Sequence, residues 1–516
     1  MSTSQALPDM SLEEQVGQLV MGVWPPQDGD ALDDLVGLGR VGGLWLAPEA
    51  GWTPAALASE LDRLQRLAPY PLLIAADPVA GPVSIAAPEI SLGAARQPEL
   101  ARRVGEWAGR RAREMGIHLL LAPNLSVQRE SGSGLGAWRS FGANPSLVAH
   151  LGSSWMQGCL EGCAWPVASP FPGAGSAVWY EERRLAVLPQ ARDHLEKVDL
   201  APFAACMESG LPALATGHLR VAALDALPTR LATHSSAVVE GLLRRTLGFA
   251  GLLLTDRLDH SSLAGRYGPG QAAVLAFAAG HDLVVTANPG EAYRALYGVL
   301  LNGDVPSSRL KQALIRAWDA RRALQLPELH RMHPAGPSPA GSPLGDVAHA
   351  ALVRVSGRRE DVALHRPLVL AADPADGRFA AAVQRLAGER LAASGFLPIC
   401  SEAAPEEMEK VLATAGQAGA ALLFAWEPPA GPVRPAPGRH LSQLVAVLRQ
   451  AGLPMGACLA GDPYALAALN GADLLLYMPA AGEDYLDSAC AYLLGIGEAP
   501  GRLPVSVPGI ATQASE

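Results

Sequence analysis

Eight short apolar runs, each closed by a polar or small residue, punctuate the first 290 residues. They are LVMGVW (19–24), GLWLA (43–47), LLIAAD (72–77), HLLLAP (118–123), PVAS (166–169), ALATGH (213–218), GLLLTD (251–256) and DLVVTA (282–287). Helix-period segments lie between them, among them AALASELDRLQRL, PELARRVGEWAGRRAREMG and SAVVEGLLRRTLG. Runs this short, apolar at successive positions, predict strands buried on both faces, as parallel sheets require. Strand and helix alternating eight times over roughly 300 residues predict a (β/α)8 barrel. A doubly wound open sheet is the competing arrangement, and the count of eight favours the barrel.

The chain runs to 516 residues, past the roughly 250–300 at which one hydrophobic core stops growing. A second domain is therefore expected. HPAGPSPAGSPLG, in the stretch 326–365, is Pro, Gly and Ser without periodicity and reads as a linker. After it come PLVLAAD (367–373), FLPIC (396–400), ALLFAW (421–426), PMGACLA (454–460) and DLLLYMP (473–479), again separated by helix-period segments. The expected organisation is a barrel over 1–325, a linker over 326–365 and an α/β/α sandwich over 366–516.

Forty basic against fifty acidic residues leave a net charge of −10, spread along the chain. That balance argues against nucleic acid or an anionic membrane as partner. The first fifteen residues lack an apolar signal core, and no run of 18 apolar residues occurs, so a soluble cytoplasmic protein is the expectation. Of the six cysteines only Cys159 and Cys163 lie close together, and these two read as buried free thiols and not as a metal knuckle. His330 and His333 fall in the linker, no Cys-x-x-Cys pair occurs, and the loop FPGAGSA (171–177) lacks the Gly-Lys-Ser/Thr end of a phosphate loop. Neither a metal nor a cofactor is expected, and the sequence leaves the oligomeric state open.

In a (β/α)8 barrel the polar residues at the C-terminal ends of strands face the site. That rule nominates Asp77, Asn124, Arg139, His218 and Asp256. Asp256 is the sharpest, because it closes an apolar strand with one carboxylate. A carboxylate there suits a nucleophile, a metal ligand or a helix cap.

The motifs, taken in order, resemble glycoside hydrolase family 3, in particular its β-N-acetylglucosaminidase branch. SLEEQVGQLVMG (11–22), PLLIAADPVAGPV (71–83), GIHLLLAPNLSV (116–127) and WRSFGANPSLVAHLG (138–152) carry the first half of the resemblance. VDLAPFAACMESGLPALATGHL (198–219), LGFAGLLLTDRLDHSSL (247–263) and LLGIGEAPGRLPVSVP (493–508) carry the second. The resemblance implies retaining hydrolysis of a β-linked sugar, of N-acetylglucosamine or glucose type, with Asp256 as nucleophile and Asp77, Arg139 and His218 as sugar-binding residues.

The likeness is interrupted where that branch carries its acid/base. Its Lys-His-Phe-Pro-Gly-His-Gly-Asp-Thr stretch reads here from Ser169 to Ala177, with Ser169 and Pro170 in place of the Lys-His pair. Its Asp-Ser-His is replaced by Glu182-Arg183-Arg184, and an arginine stays charged and cannot donate a proton. The early Glu-Gly-Gly-Arg is Val79-Ala80-Gly81-Pro82, and Trp138 stands before Arg139 where the family has Asp. Glu181 or Glu182 lies in the right loop to act as replacement acid if burial raises its pKa. Glu483 corresponds by motif to the second-domain region from which the β-glucosidase branch draws its acid, but reads as structural. Trp138 and Trp179 are candidates to stack on a sugar face. Two functions follow: a glycosidase with a substituted acid, or a barrel without turnover that binds carbohydrate or acts as a scaffold. A module for a ligand unrelated to sugars is a third.

Overall fold

The computed structural model describes residues 7–25, 31–48, 52–81, 84–129, 137–180, 185–326, 341–362, 364–373, 377–399, 405–416, 418–428 and 438–510. The chain folds as two compact units: residues 1–86, 101–126 and 152–341 form the first, and residues 87–100, 127–151 and 342–516 the second.

In the first unit each of the eight apolar runs contains a strand: β1 (Val20–Trp24), β2 (Gly43–Leu46), β3 (Leu73–Ala76), β4 (Leu119–Leu120), β5 (Trp165–Phe171), β6 (Ala213–Thr216), β7 (Leu252–Thr255) and β8 (Val284–Thr286). All are parallel, in the order β7-β6-β5-β4-β3-β2-β1-β8. The circle is completed by a parallel bridge between Leu254 and Leu283, with the Thr255 N–H donating to the Leu283 carbonyl at 3.1 Å. Met21, Trp45, Leu73, Leu119, Val167 and Leu252 belong to one buried cluster fed by all eight strands. The strands are apolar at successive positions because the other set of side chains packs outward under the helices.

Successive side chains on a strand alternate between its two faces. Leu73 and Ala75 of β3, Ala213 and Ala215 of β6, and Leu252 and Leu254 of β7 all belong to the interior cluster. The same period carries Asp77 and Asp256 to the inward set, and Thr216 and His218 to the outward one. Between β5 and β6 lies a hairpin, Val178–Tyr180 against Leu185–Leu188, whose second strand pairs in parallel with Leu219–Val221.

Charge inside this unit is concentrated at Asp282, which is fully buried. Its Oδ2 accepts from Arg244 at 2.8 Å and from the Leu253 N–H at 3.0 Å. Its Oδ1 accepts from Arg316 at 2.9 Å, with Arg309 at 3.5 Å. A second buried cation, Arg321, donates to the Pro71, Gly42 and Ala317 carbonyls and to Gln18 Oε1.

The second unit is built on a six-stranded sheet: β9 (Val353–Ser356), β10 (Leu368–Ala372), β11 (Gly395–Ile399), β12 (Ala421–Glu427), β13 (Met455–Gly461) and β14 (Leu474–Met478), in the order β9-β14-β13-β12-β10-β11. Only β9 runs antiparallel to its neighbour. The helix Leu344–Ala351 and β9 stand within the stretch 326–365 expected as linker, whose residues 327–340 lie outside those described. Residues 87–100 and 127–151 also belong to this unit, away from the expected division at 325 and 366. The reason is burial: Ile90 and Ala94 join the core of Ala348, Ala351 and Leu486, and the Tyr485 hydroxyl donates to Ser91 Oγ at 2.7 Å.

Removing the charge of a buried ion-pair hub leaves its partners uncompensated, at about 3–5 kcal/mol. Asp282→Asn keeps an acceptor for the Leu253 N–H but strips the counter-charge from Arg244 and Arg309. Urea unfolding should show a loss in that range, and a loss below about 1 kcal/mol, the level of an exposed pair, would contradict the hub.

Candidate active site

Asp256 extends β7 by one residue. Its N–H donates to the Thr216 carbonyl at 3.2 Å, so the strand pairing with β6 carries on to the residue that bears the carboxylate. The side chain is half-buried, and Oδ1 accepts the N–H of Arg257 at 2.7 Å. The Arg257 guanidinium pairs with Asp259, at 2.6 Å. This places a carboxylate in the inward set at the mouth of the barrel, with one of its oxygens held by backbone.

Asp77 takes the equivalent place on β3. Its Oδ1 accepts from the N–H groups of Val79 and Ala80, at 2.8 and 2.9 Å. The turn closes tightly enough that a Cβ at Gly81 would stand 2.2 Å from the Asp77 carbonyl oxygen. Asn124, just beyond β4, folds back in the same way, its Oδ1 accepting the Ser126 N–H at 2.9 Å.

His218 is brought close to Asp256, but both of its ring nitrogens are engaged by protein. Nε2 lies 2.8 Å from the Arg257 carbonyl and Nδ1 2.8 Å from Thr233 Oγ1. The outward parity of His218 on β6 explains why it meets the wall of the barrel. Thr233 Oγ1 is also 3.2 Å from the Gly217 carbonyl and 3.4 Å from Thr216 Oγ1, which in turn is 2.8 Å from His281 Nε2. The Nδ1–H of His281 donates to the Ala276 carbonyl at 2.9 Å. Burial lowers the pKa of His218, against the pull of the Asp256 charge. Burial also takes His281 down to about 3 and His234 to about 4.

Arg139 belongs to the second unit. It donates to Glu89 from Nε at 3.0 Å and from a terminal nitrogen at 3.4 Å, and its guanidinium lies over the Trp138 ring. Glu89 is almost fully buried. Trp138 itself packs on the second unit's core. Glu483 begins the helix Glu483–Leu494 and pairs with Arg385 on an exposed face. Glu181 and Glu182 lie outside the described residues, as do His330 and His333.

The loop from Phe171 to Ala177 is buried throughout and carries no ionisable side chain. It is fastened at both sides: the Gly217 N–H donates to the Phe171 carbonyl at 2.9 Å, and the Ala174 N–H to Ser126 Oγ at 3.2 Å. Among the described residues no group of His, Cys, Asp and Glu is placed to hold a metal ion, and no helix is long and apolar enough to cross a membrane.

Residues that sequence reasoning passed over hold the candidate side chains, each within its own unit. Arg257 follows Asp256 directly, and Glu89 is a lone carboxylate in the apolar run AAPEISLGAA; both were open to inspection. Thr233 and His281 carry no local signal, since their partners lie 15 and 65 residues away.

A parallel eight-stranded barrel with a carboxylate at the end of its seventh strand defines a (β/α)8-barrel protein with a candidate site at the strand ends. The profile of the Glycosyl hydrolase family 3 N terminal domain matches residues 11–319, and the chain belongs to that family. A beta-hexosaminidase of Alkalilimnicola ehrlichii is 31% identical over 294 residues, spanning 54% of this chain and 83% of that one. A beta-N-acetylglucosaminidase/beta-glucosidase of Cellulomonas fimi is 26% identical over 367 residues, spanning 67% of this chain and 63% of that one. A family 3 beta-N-acetylglucosaminidase structure from Paenibacillus sp. superposes with a TM-score of 0.84 at 22% identity, covering 97% of this chain and 99% of that one, a likeness of fold.

The buried histidines make the first unit acid-sensitive in a stated direction. A histidine that titrates near 6.5 when unfolded, and near 3 or 4 when folded, binds more protons in the unfolded state between those values. Stability is therefore full above about pH 6.5 and declines toward pH 4. Urea midpoints taken from pH 7.5 to 4.5 should fall along this interval, with a shallower slope in His281→Asn than in the wild type. Equal slopes would contradict the burial of a neutral His281.

Proposed function

We propose that the protein hydrolyses a β-linked sugar of N-acetylglucosamine or glucose type with retention, and that Asp256 is its nucleophile. The observation that carries this reading is the Asp256 carboxylate itself. It stands at the inward position of a strand end, half-buried, with Oδ1 held by the Arg257 N–H. A barrel wall has no structural need of a carboxylate there. In the reaction one carboxylate oxygen attacks the anomeric carbon as the bond to the leaving oxygen breaks. Water then releases the sugar from the glycosyl-enzyme. Glu181 or Glu182 supplies the proton to the leaving oxygen in this reading, and Asp77 meets the sugar.

A second reading, a barrel that binds carbohydrate without turnover, is favoured by one observation. The stretch from Ser169 to Ala177 offers neither the cation nor the imidazole of the family's pattern. Loss of an acid/base group costs on the order of 10²–10⁴ in rate.

Aryl β-glycosides separate the two, because an activated phenolate leaves with little help from an acid. Wild-type turnover of 2,4-dinitrophenyl or 4-nitrophenyl β-glycosides should vanish in Asp256→Asn. Glu181→Gln or Glu182→Gln should then cost about 10²–10⁴ on alkyl glycosides and little on dinitrophenyl ones. Wild-type rates equal to those of Asp256→Asn on every sugar would overturn the hydrolase reading in favour of binding alone.

A further inference from the structure

We infer that His218 is a positioning residue for the nucleophile, acting through the Arg257 peptide, and that Thr233 sets its tautomer. The inference rests on the proposed role of Asp256 and goes beyond it.

Hydrogen-bond valence decides the arrangement. The Arg257 carbonyl, 2.8 Å from His218 Nε2, can only accept, so Nε2 carries a proton. The Ala276 carbonyl likewise requires a proton on His281 Nδ1, which leaves His281 Nε2 to accept from Thr216. Thr216 has one hydroxyl proton and gives it to His281, so it is an acceptor toward Thr233. The one hydroxyl proton of Thr233 then goes to the nearest of three acceptors, His218 Nδ1 at 2.8 Å, and not to the Gly217 carbonyl at 3.2 Å or Thr216 Oγ1 at 3.4 Å. The result is a neutral imidazole with one proton, on Nε2, pointing at one carbonyl.

That carbonyl belongs to the residue whose N–H holds Asp256 Oδ1 at 2.7 Å. Holding Arg257 from its carbonyl side orients the N–H, and the N–H orients the carboxylate, leaving Oδ2 to attack. The charged groups facing the imidazole are Asp256 and Asp259, with His260 and His234 as the neighbouring rings. None of them competes for either nitrogen of His218. The lever is geometric: misplacing a reacting group by about 1 Å costs up to about 10²-fold.

Two conservative variants divide the ring's two contacts. Glutamine places an N–H where Nε2 stands and reaches the Arg257 carbonyl. Asparagine reaches only as far as Nδ1, toward Thr233, and drops the Arg257 bond. On a 4-nitrophenyl β-glycoside, His218→Asn should lower kcat on the order of 10²-fold with KM nearly unchanged, and His218→Gln should restore most of that loss. A merely structural histidine would show no such order between variants of similar urea midpoint, and a sugar-binding one would raise KM in both. Either pattern would overturn the inference. Spectra of ¹⁵N-histidine-labelled protein, with the His218 signal identified by its loss in His218→Gln, read the tautomer without turnover. A proton on Nε2 in the wild type, redistributed in Thr233→Val, supports the inference, and a proton on Nδ1 overturns it. If the wild type hydrolyses nothing, the proposed function fails while the spectrum still decides the arrangement around His218.

Discussion

The two-residue period of the barrel strands governs the rest of this structure. On β7, Leu252 and Leu254 point into the barrel, so Asp256 does as well; on β6, Ala213 and Ala215 point in, so Thr216 and His218 do not. Because β6 and β7 are parallel neighbours in register, the outward side chains of one reach the backbone that follows the other. The carboxylate and the imidazole therefore take different places: one faces the mouth, the other stands in the wall with Nε2 on the Arg257 carbonyl. A shift of one residue in β7 would turn the Asp256 carboxylate outward against the helices, and one in β6 would turn His218 inward.

A polar wall inside an apolar barrel is stable only if each group in it is satisfied. An unpartnered buried donor or acceptor costs about 1–3 kcal/mol. The chain from His281 through Thr216 and Thr233 to His218 meets this condition with two fixed carbonyl acceptors, Ala276 and Arg257, one at each end. Burial favours the neutral ring at both histidines, and a neutral ring has one donor and one acceptor, which is what each finds here. Asp282 solves the corresponding problem for charge by gathering three guanidinium groups around one carboxylate. The barrel closes between β7 and β8 close to that hub, and the Leu253 N–H, on β7, is one of its donors.

The architecture was legible because burial on both faces leaves a coarse signature. Eight apolar runs appear in the sequence, and each contains a strand of the barrel. β9 was missed because Val353-Arg354-Val355-Ser356 is short, alternating and antiparallel, and follows a Pro/Gly-rich stretch. Asp256 and Asp77 were legible as strand-end carboxylates. His218 was legible as a strand-end residue too, but its height along β6 says nothing of its direction, and only parity against Ala213 and Ala215 separates it from the inward set. Arg139 is the opposite case: its Glu89 partner lies 50 residues earlier, brought near by packing that no local pattern encodes.

The family pattern and this chain part at Glu182-Arg183-Arg184, where the acid/base would stand, and again from Ser169 to Ala177. Where the family carries Lys, His and Asp, this chain carries Ser169, Ala174 and Ser176, none of them ionisable, and the loop is anchored by hydrogen bonds to Gly217 and Ser126. A charged side chain at Ala174 would have to be desolvated against that packing, so the replacements are consistent with one another as a tightly closed loop. On the proposed reading, in which Asp256 attacks and this loop holds no acid, turnover depends on the leaving group far more than in a barrel that carries both groups there. The barrier Asp256 can cross alone is that of an oxygen already able to carry the negative charge. For poorer leaving groups the proton must come from a side chain outside this loop, the part that the proposed function gives to Glu181 or Glu182.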